Sequence, residues 1–232
     1  MIHEVIVTTM SKSGEVHIAP MGIRFLEKKV VISPFRPSQT LDNILESNIA
    51  TVNFVDDVRV FAGIVSRYKR DWELSKHNEL DVVPNLIIAN TVYNLIVSDF
   101  EDDEKRPNIV CDVKKSTILK PFLGFNRAQF SVIEAAVLIS RLGMIPMEKI
   151  DKEIEYLKIG IDKTSGPHEK EAWKWIQKKI LDYKKFNMSP FVVRLSLGQQ
   201  TWVFRKMYQD YKIGVDIKFA ELDKFMFICF LF

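Results

Sequence analysis

Between residues 36 and 43 the chain places Arg36, Ser38, Thr40 and Asn43, a fixed positive charge, two hydroxyls and a carboxamide within eight positions. Thr40 or Asp42 would stand at the start of a short helix, where unsatisfied backbone amides favour an anion. Together these are the donors that a phosphate monoester wants. The same residue types are equally at home in turns and as helix N-caps, so both readings stand at this point. Upstream lies a second unusual stretch, Ala19-Pro20-Met21-Gly22, at the end of a strand pattern. It removes one amide donor and much of the side-chain bulk from a strand, as an edge strand or a close backbone approach requires.

Several chemistries lack their motifs. There is no Gly-x-Gly-x-x-Gly after a strand, no phosphate loop ending in Gly-Lys-Ser/Thr, no His-Glu-x-x-His and no Gly-x-Ser-x-Gly elbow. The four histidines, His3, His17, His77 and His168, have no metal-ligand spacing. Cys111 and Cys229 form neither a metal pair nor a disulfide framework, and they fit a reducing cytoplasm. The 33 basic and 30 acidic residues are well mixed and leave a net charge of +3, too balanced for a nucleic-acid surface. Tyr68, Trp72 and Tyr93 do not form a basic, strand-borne stacking pattern either. The start of the chain enters a strand pattern with no basic leader. The longest apolar run, "FMFICFLF" at 225–232, is far short of the ~20 residues of a membrane-spanning helix.

The elements that must position these residues are mostly strands in the first half. Ile2–Thr9 and Glu15–Met21 flank a turn at Ser13-Gly14; Lys28–Ser33 is stopped by Pro34; Ile49–Val55 and Val58–Ala62 flank Asp56-Asp57; Leu86–Phe100 and Asn108–Leu119 flank a charged turn. Six to seven antiparallel strands without long intervening helices favour a closed barrel, because closure removes exposed edges. Helical periodicity begins only after residue 125. Asn126 is a plausible N-cap for a helix with Phe130, Ile133, Val137 and Ser140 on one side, ending at Gly143. Pro146 opens a second helix, with Ile150, Ile154 and Leu157 on one face and Glu148 paired with Lys152. A third follows Thr164-Ser165-Gly166-Pro167, acidic early and basic late. The expected class is mainly β with α, a barrel over 1–122 and a helical cap over 123–185, with 186–232 unassigned although "FVVRLSL" alternates like a strand.

Four stretches in order, "VIVTT…G…HIAPMGI", "SPFRPSQTLDNI", "TVNFVDDVRVFA" and "FNRAQFSVIEAAVLISRL", resemble an uncharacterised archaeal and bacterial family of FMN-binding proteins. The likeness covers residues 2 to 183, and it implies the split β-barrel shared with flavin reductases. It implies that Ala19, Pro20, Met21 and Gly22 line the isoalloxazine ring and that Arg36, Ser38, Thr40 and Asn43 hold the phosphate. Asn53 would reach the polar rim of the flavin or stand in the strand ladder. Proteins of this fold are usually homodimers with flavin near the subunit boundary, which opens a ligand role for Asn126 and Arg127 beside their local roles as helix cap and ion-pair partner. Glu134 reads as a partner for Arg127 or Arg141.

The expected function is a cytoplasmic oxidoreductase passing electrons through non-covalently bound FMN, with NAD(P)H or another donor, no nucleic acid and no membrane. The alternative is a non-catalytic module that binds flavin or another phosphorylated ligand.

Overall fold

A computed structural model of the chain describes residues 1–76 and 83–187, and the backbone of 192–197 and 200–205. The "FMFICFLF" stretch, His77 and Cys229 lie outside the described residues. The chain divides into two compact units, Met1–Tyr183 and Lys184–Phe232.

In the first unit six strands form a closed antiparallel barrel: β1 (Ile2–Met10), β2 (Val16–Leu26), β3 (Lys29–Ile32), β4 (Ile49–Phe54), β5 (Thr91–Glu101) and β6 (Asn108–Ile118). Their order is β1-β2-β3-β6-β5-β4, and β1 closes the ring by pairing with both β2 and β4. The β1–β2 hairpin turns where expected, with Gly14 at a φ of 84°, a left-handed conformation that a side chain would disfavour. Alternation sends Val5, Val7, Ile23, Val30, Ile32, Val52, Leu95, Ile109 and Cys111 inward to one fully apolar cluster. Apolar burial of this kind is worth about 25 cal/mol per Å² and is what holds the barrel closed.

The described residues also form five helices: α1 (Gln39–Ser47), α2 (Arg59–Ser66), α3 (Arg127–Ser140), α4 (Met147–Thr164) and α5 (Pro167–Asn187). α1 packs on β1 and β2 and drops Leu41 and Ile44 into the barrel interior. α2 covers the outer face, where Val60 and Phe61 join Ile6, Leu86, Ala89 and Val92. Val58–Ala62 therefore corrects the strand expectation. Val58, Arg59 and Val60 alternate as a strand does, and the helix runs only eight residues, too short for its period to stand out from a strand's. The barrel consequently has six strands, and β5 begins only at Thr91 because Leu86–Asn90 is a packed connection.

The helical cap has its own core, built from Ala128, Val132, Ala135 and Ile139 of α3, Ile150, Leu157 and Ile161 of α4, and Ala172, Trp173 and Ile176 of α5. The face of α3 expected to be buried is displaced by this arrangement: small alanines face α4 and Phe130 is exposed. The reason is close helix packing at Gly160, where an added Cβ would collide with the Ser131 hydroxyl and stand 3.0 Å from the Arg127 carbonyl. Glu148 and Lys152 form the expected pair at 3.0 Å. Glu134 makes no ion pair with Arg127 or Arg141 among the described residues. In the second unit, β7 (Val192–Leu197) and β8 (Gln200–Arg205) pair as an antiparallel hairpin. No helix among the described residues is long and apolar enough to cross a membrane.

Candidate functional site

The strand carrying Ala19-Pro20-Met21-Gly22 is laddered asymmetrically. β2 pairs with β1 from Val16 to Arg24, Ala19 opposite Val7, Pro20 opposite Ile6, Met21 opposite Val5 and Gly22 opposite Glu4. β3 is only four residues long and pairs with β2 from Ile23 to Leu26 alone. From Val16 to Gly22 one edge of β2 is therefore unladdered, which is the kind of position where a strand tolerates proline. Ala19 to Gly22 are all half-buried, so this is a sheltered edge rather than an open one. Gly22 has an intramolecular reason to lack a side chain: an added Cβ would stand 2.7 Å from Cγ2 of Ile2.

The donor-rich segment meets this strand at one end of the barrel. Ser38 is the N-cap of α1, extended at φ −160° and ψ 146°, and its Oγ accepts the Leu41 amide at 3.3 Å. That leaves the Ser38 hydroxyl proton free to donate. The amides of Gln39 and Thr40 have no acceptor among the described residues, as the opening turn of a helix dictates. Thr40 is buried, and its hydroxyl makes no hydrogen bond among the described residues. Arg36 is held beside the helix start by its own amide, which donates to the Lys105 carbonyl at 2.9 Å, and by an exposed 2.7 Å ion pair with Asp102. An exposed pair of this kind is worth at most about 1 kcal/mol, so the guanidinium can exchange partners cheaply.

Asn43 and Asn53 differ from these. Asn43 is buried, with its Nδ2 on Thr9 Oγ1 at 3.0 Å and its Oδ1 accepting from Gln39 at 2.7 Å. It fastens α1 to the end of β1 rather than facing outward. Thr9 pairs with His17, two residues before Ala19, so the same contact brings the start of α1 to the half-laddered part of β2. Asn53 is fully buried, its Nδ2 donating to the Ile6 carbonyl at 3.1 Å and its Oδ1 accepting from the Leu86 amide at 2.8 Å. Both ends of its amide are engaged inside the chain.

Asn126 and Arg127 stand at the other end of the barrel. They help line a groove of about 800 Å³ with His3, Phe25, Phe54, Tyr93 and Phe130. His3 lies six residues along β1 from Thr9, roughly 20 Å at strand rise. Asn126 caps α3 by accepting from Ala128 at 2.7 Å and Gln129 at 3.3 Å, and its Nδ2 donates to the Thr164 carbonyl at 3.1 Å. Arg127 is exposed and unpaired among the described residues. The start of α1 thus stands by the His17 end of β2, whereas Gly22, opposite Glu4, lies towards the groove that Asn126 and Arg127 line.

Electrostatics add little acid–base chemistry here. Burial first, then the neighbouring Arg70 charge, holds His17 below the ordinary imidazole range. Burial pushes the Cys111 thiol up to about 12, which removes its thiolate at neutral pH. Among the described residues no group of three or more His, Cys, Asp or Glu could hold a metal ion. Thr8 and Thr51 stand outside the candidate site residues of the sequence, and their hydroxyls donate to the Pro84 and Val83 carbonyls at 2.8 and 2.7 Å on the outside of the barrel. What marks them in sequence is a run of short polar residues, Thr8-Thr9 and Thr51 with Asn53, in otherwise apolar strands.

A six-stranded antiparallel barrel with a half-laddered second strand and a helical cap defines the split-barrel class. Family models described as "Protein of unknown function (DUF447) N-terminal domain" and "Protein of unknown function (DUF447)" match residues 3–120 and 126–178, and the chain belongs to this family. It is 28% identical over 149 residues to the uncharacterized protein MJ1453 of Methanocaldococcus jannaschii, covering 61% of this chain and 75% of that protein. The fold is similar to that of MM1853 from Methanosarcina mazei, an FMN-bound protein of the same family model. That likeness has a TM-score of 0.67 and 21% identity, over 77% of this chain and 94% of MM1853.

Proposed function

We propose that this chain binds FMN non-covalently between β2 and the start of α1 and works as a cytoplasmic, homodimeric, flavin-reductase-like oxidoreductase. The observation that carries the reading is the meeting of a sheltered, unladdered strand edge with a helix start whose donors are unspent. Membership of a family that includes an FMN-bound protein supports it.

The residues fit the group chemically. Arg36, the hydroxyls of Ser38 and Thr40, and the amides of Gln39 and Thr40 form a cationic set with several donors to offer a phosphate dianion. The backbone from Ala19 to Gly22 would border the ring along the unladdered edge, since the outer face at Gly22 is already taken by Ile2. Asn43 holds α1 in place behind these donors, and Asn53 belongs to the barrel wall. Bound FMN would supply the redox chemistry, accepting electrons from a donor such as NADH or NADPH.

Anaerobic mixing of the FMN-loaded protein with NADH, NADPH and a cell extract, followed by absorbance at the flavin bands, separates catalysis from carriage. Bleaching with any of them supports an oxidoreductase. Unchanged spectra with all three would leave a non-catalytic flavin-binding module.

A further inference from the structure

The groove at the barrel mouth has no part in the flavin seat proposed at α1. It encloses about 800 Å³, the size of a small-molecule site. Along its wall His3, Phe25, Tyr93 and Phe54 follow one another with ring centroids 5.2, 6.3 and 5.0 Å apart and planes inclined at 74°, 70° and 68°. Each ring stands nearly across the next, so the wall presents ring faces as well as ring edges. The charged side chains of the lining are Glu4, Asp56 and Arg127. Glu4 is exposed, Asp56 is half-buried, and neither carboxylate has an ion pair among the described residues. The Asp56 carboxylate accepts a bond from a neutral amide, Asn90 Nδ2, at 3.0 Å. Arg127 is exposed at the first position of α3.

We propose that this groove binds a flat aromatic cation, of which an N-alkylated heteroaromatic ring is the simplest example. The face of an aromatic ring is the negative part of its quadrupole and attracts a cation lying within about 6 Å of the centroid. A charge spread over a ring and capped by carbon is more weakly hydrated than an ammonium, so it can leave water for a half-buried aromatic wall at less cost. Two carboxylates against one guanidinium leave the lining negative, which favours a cation over an anion of the same shape. The same carboxylates repel phosphates, so the occupant is neither the flavin nor a nucleotide, and the proposal stands apart from the flavin reading. Gly22 pairs with Glu4, which places the groove at the end of the β2 ladder away from α1.

Calorimetric titration of the full chain with N-methylquinolinium, quinoline and quinoline-2-carboxylate compares a cation, a neutral ring and an anion of similar shape at neutral pH. The cation should bind tightest and the carboxylate weakest. Asp56→Asn removes the charge yet keeps an acceptor for Asn90; it should weaken the cation about tenfold and leave quinoline unchanged. Glu4 is exposed, so Glu4→Gln leaves the fold intact and should weaken the cation about two- to fivefold. Phe25→Leu should weaken cation and quinoline alike, and Arg127→Ala should tighten the cation. Failure of the cation to bind, tightest binding of the carboxylate, or a cation affinity that neither carboxylate variant changes would overturn the inference. FMN added to the probe-loaded protein should bind alongside the probe, and displacement of the probe would make the groove the flavin's own seat and overturn the inference too. Absent FMN binding with the quinolinium retained would strike the flavin reading and leave this one standing.

Discussion

Asn53 and Leu86 are joined across the outer wall of the barrel, the side-chain carbonyl of Asn53 accepting the Leu86 amide at 2.8 Å. With Thr8 on the Pro84 carbonyl and Thr51 on the Val83 carbonyl, three strand side chains from β1 and β4 fasten the connection that leads into β5. A buried backbone segment whose ladder pairing among the described residues is the single bridge between Leu74 and Leu86 needs such bonds, because each unpaired group costs about 1–3 kcal/mol.

Replacing Asn53 by leucine should therefore destabilise the fold by about 2–4 kcal/mol, since the Leu86 amide is orphaned and the Ile6 carbonyl loses a donor. Urea unfolding followed by circular dichroism reads this directly. The folded fraction should keep wild-type FMN affinity, and a selective loss of affinity would return Asn53 to the ligand site.

Gly160→Ala should cost about 1–3 kcal/mol, because α3 and α4 touch where the new methyl group must go and one of the obstacles is the Arg127 backbone carbonyl. Thermal melts would show a lowered Tm. A neutral result would mean that the two helices can separate without penalty at that crossing.

Stability should fall on mild acidification in part because of His17. Its pKa is lowered in the fold, chiefly by burial and then by Arg70, from an ordinary value of 6.5. Below about pH 6.5 the unfolded chain takes up the proton that the folded chain resists. The stabilising contribution is thus complete above that pH and is lost as pH falls through the lowered folded value. His17→Gln should flatten this part of the stability–pH profile, measured as urea midpoints between pH 7.5 and about 5. Identical slopes for variant and wild type would remove His17 from the account.

Much of the fold is legible in local chemistry. The Ser13-Gly14 turn, the Asn126 cap and the opening of α4 after Pro146 each depend on neighbours within a few positions, so sequence specifies them. α2 is not legible in this way, since Val58-Arg59-Val60 alternates like a strand and the helix is only eight residues long. Nor are the roles of Asn43 and Asn53. Their partners Thr9 and Leu86 lie 34 and 33 residues away, and an asparagine that closes an internal network looks the same in sequence as one that awaits a ligand. Phe130 escapes for a related reason. The alanines of α3 take the close contact with α4, which turns the larger ring outward.

The most direct measurement is calorimetric titration of flavin-free protein with FMN and with riboflavin, repeated on Arg36→Ala. FMN should bind more tightly than riboflavin, and at a hundredfold excess over its Kd it should stabilise the fold by about 2.7 kcal/mol. Loss of the Arg36 guanidinium should weaken FMN by about 1.5–3 kcal/mol and leave riboflavin nearly unchanged. Absence of any FMN binding, or an equal loss for both ligands in the variant, would contradict a phosphate seat at the start of α1.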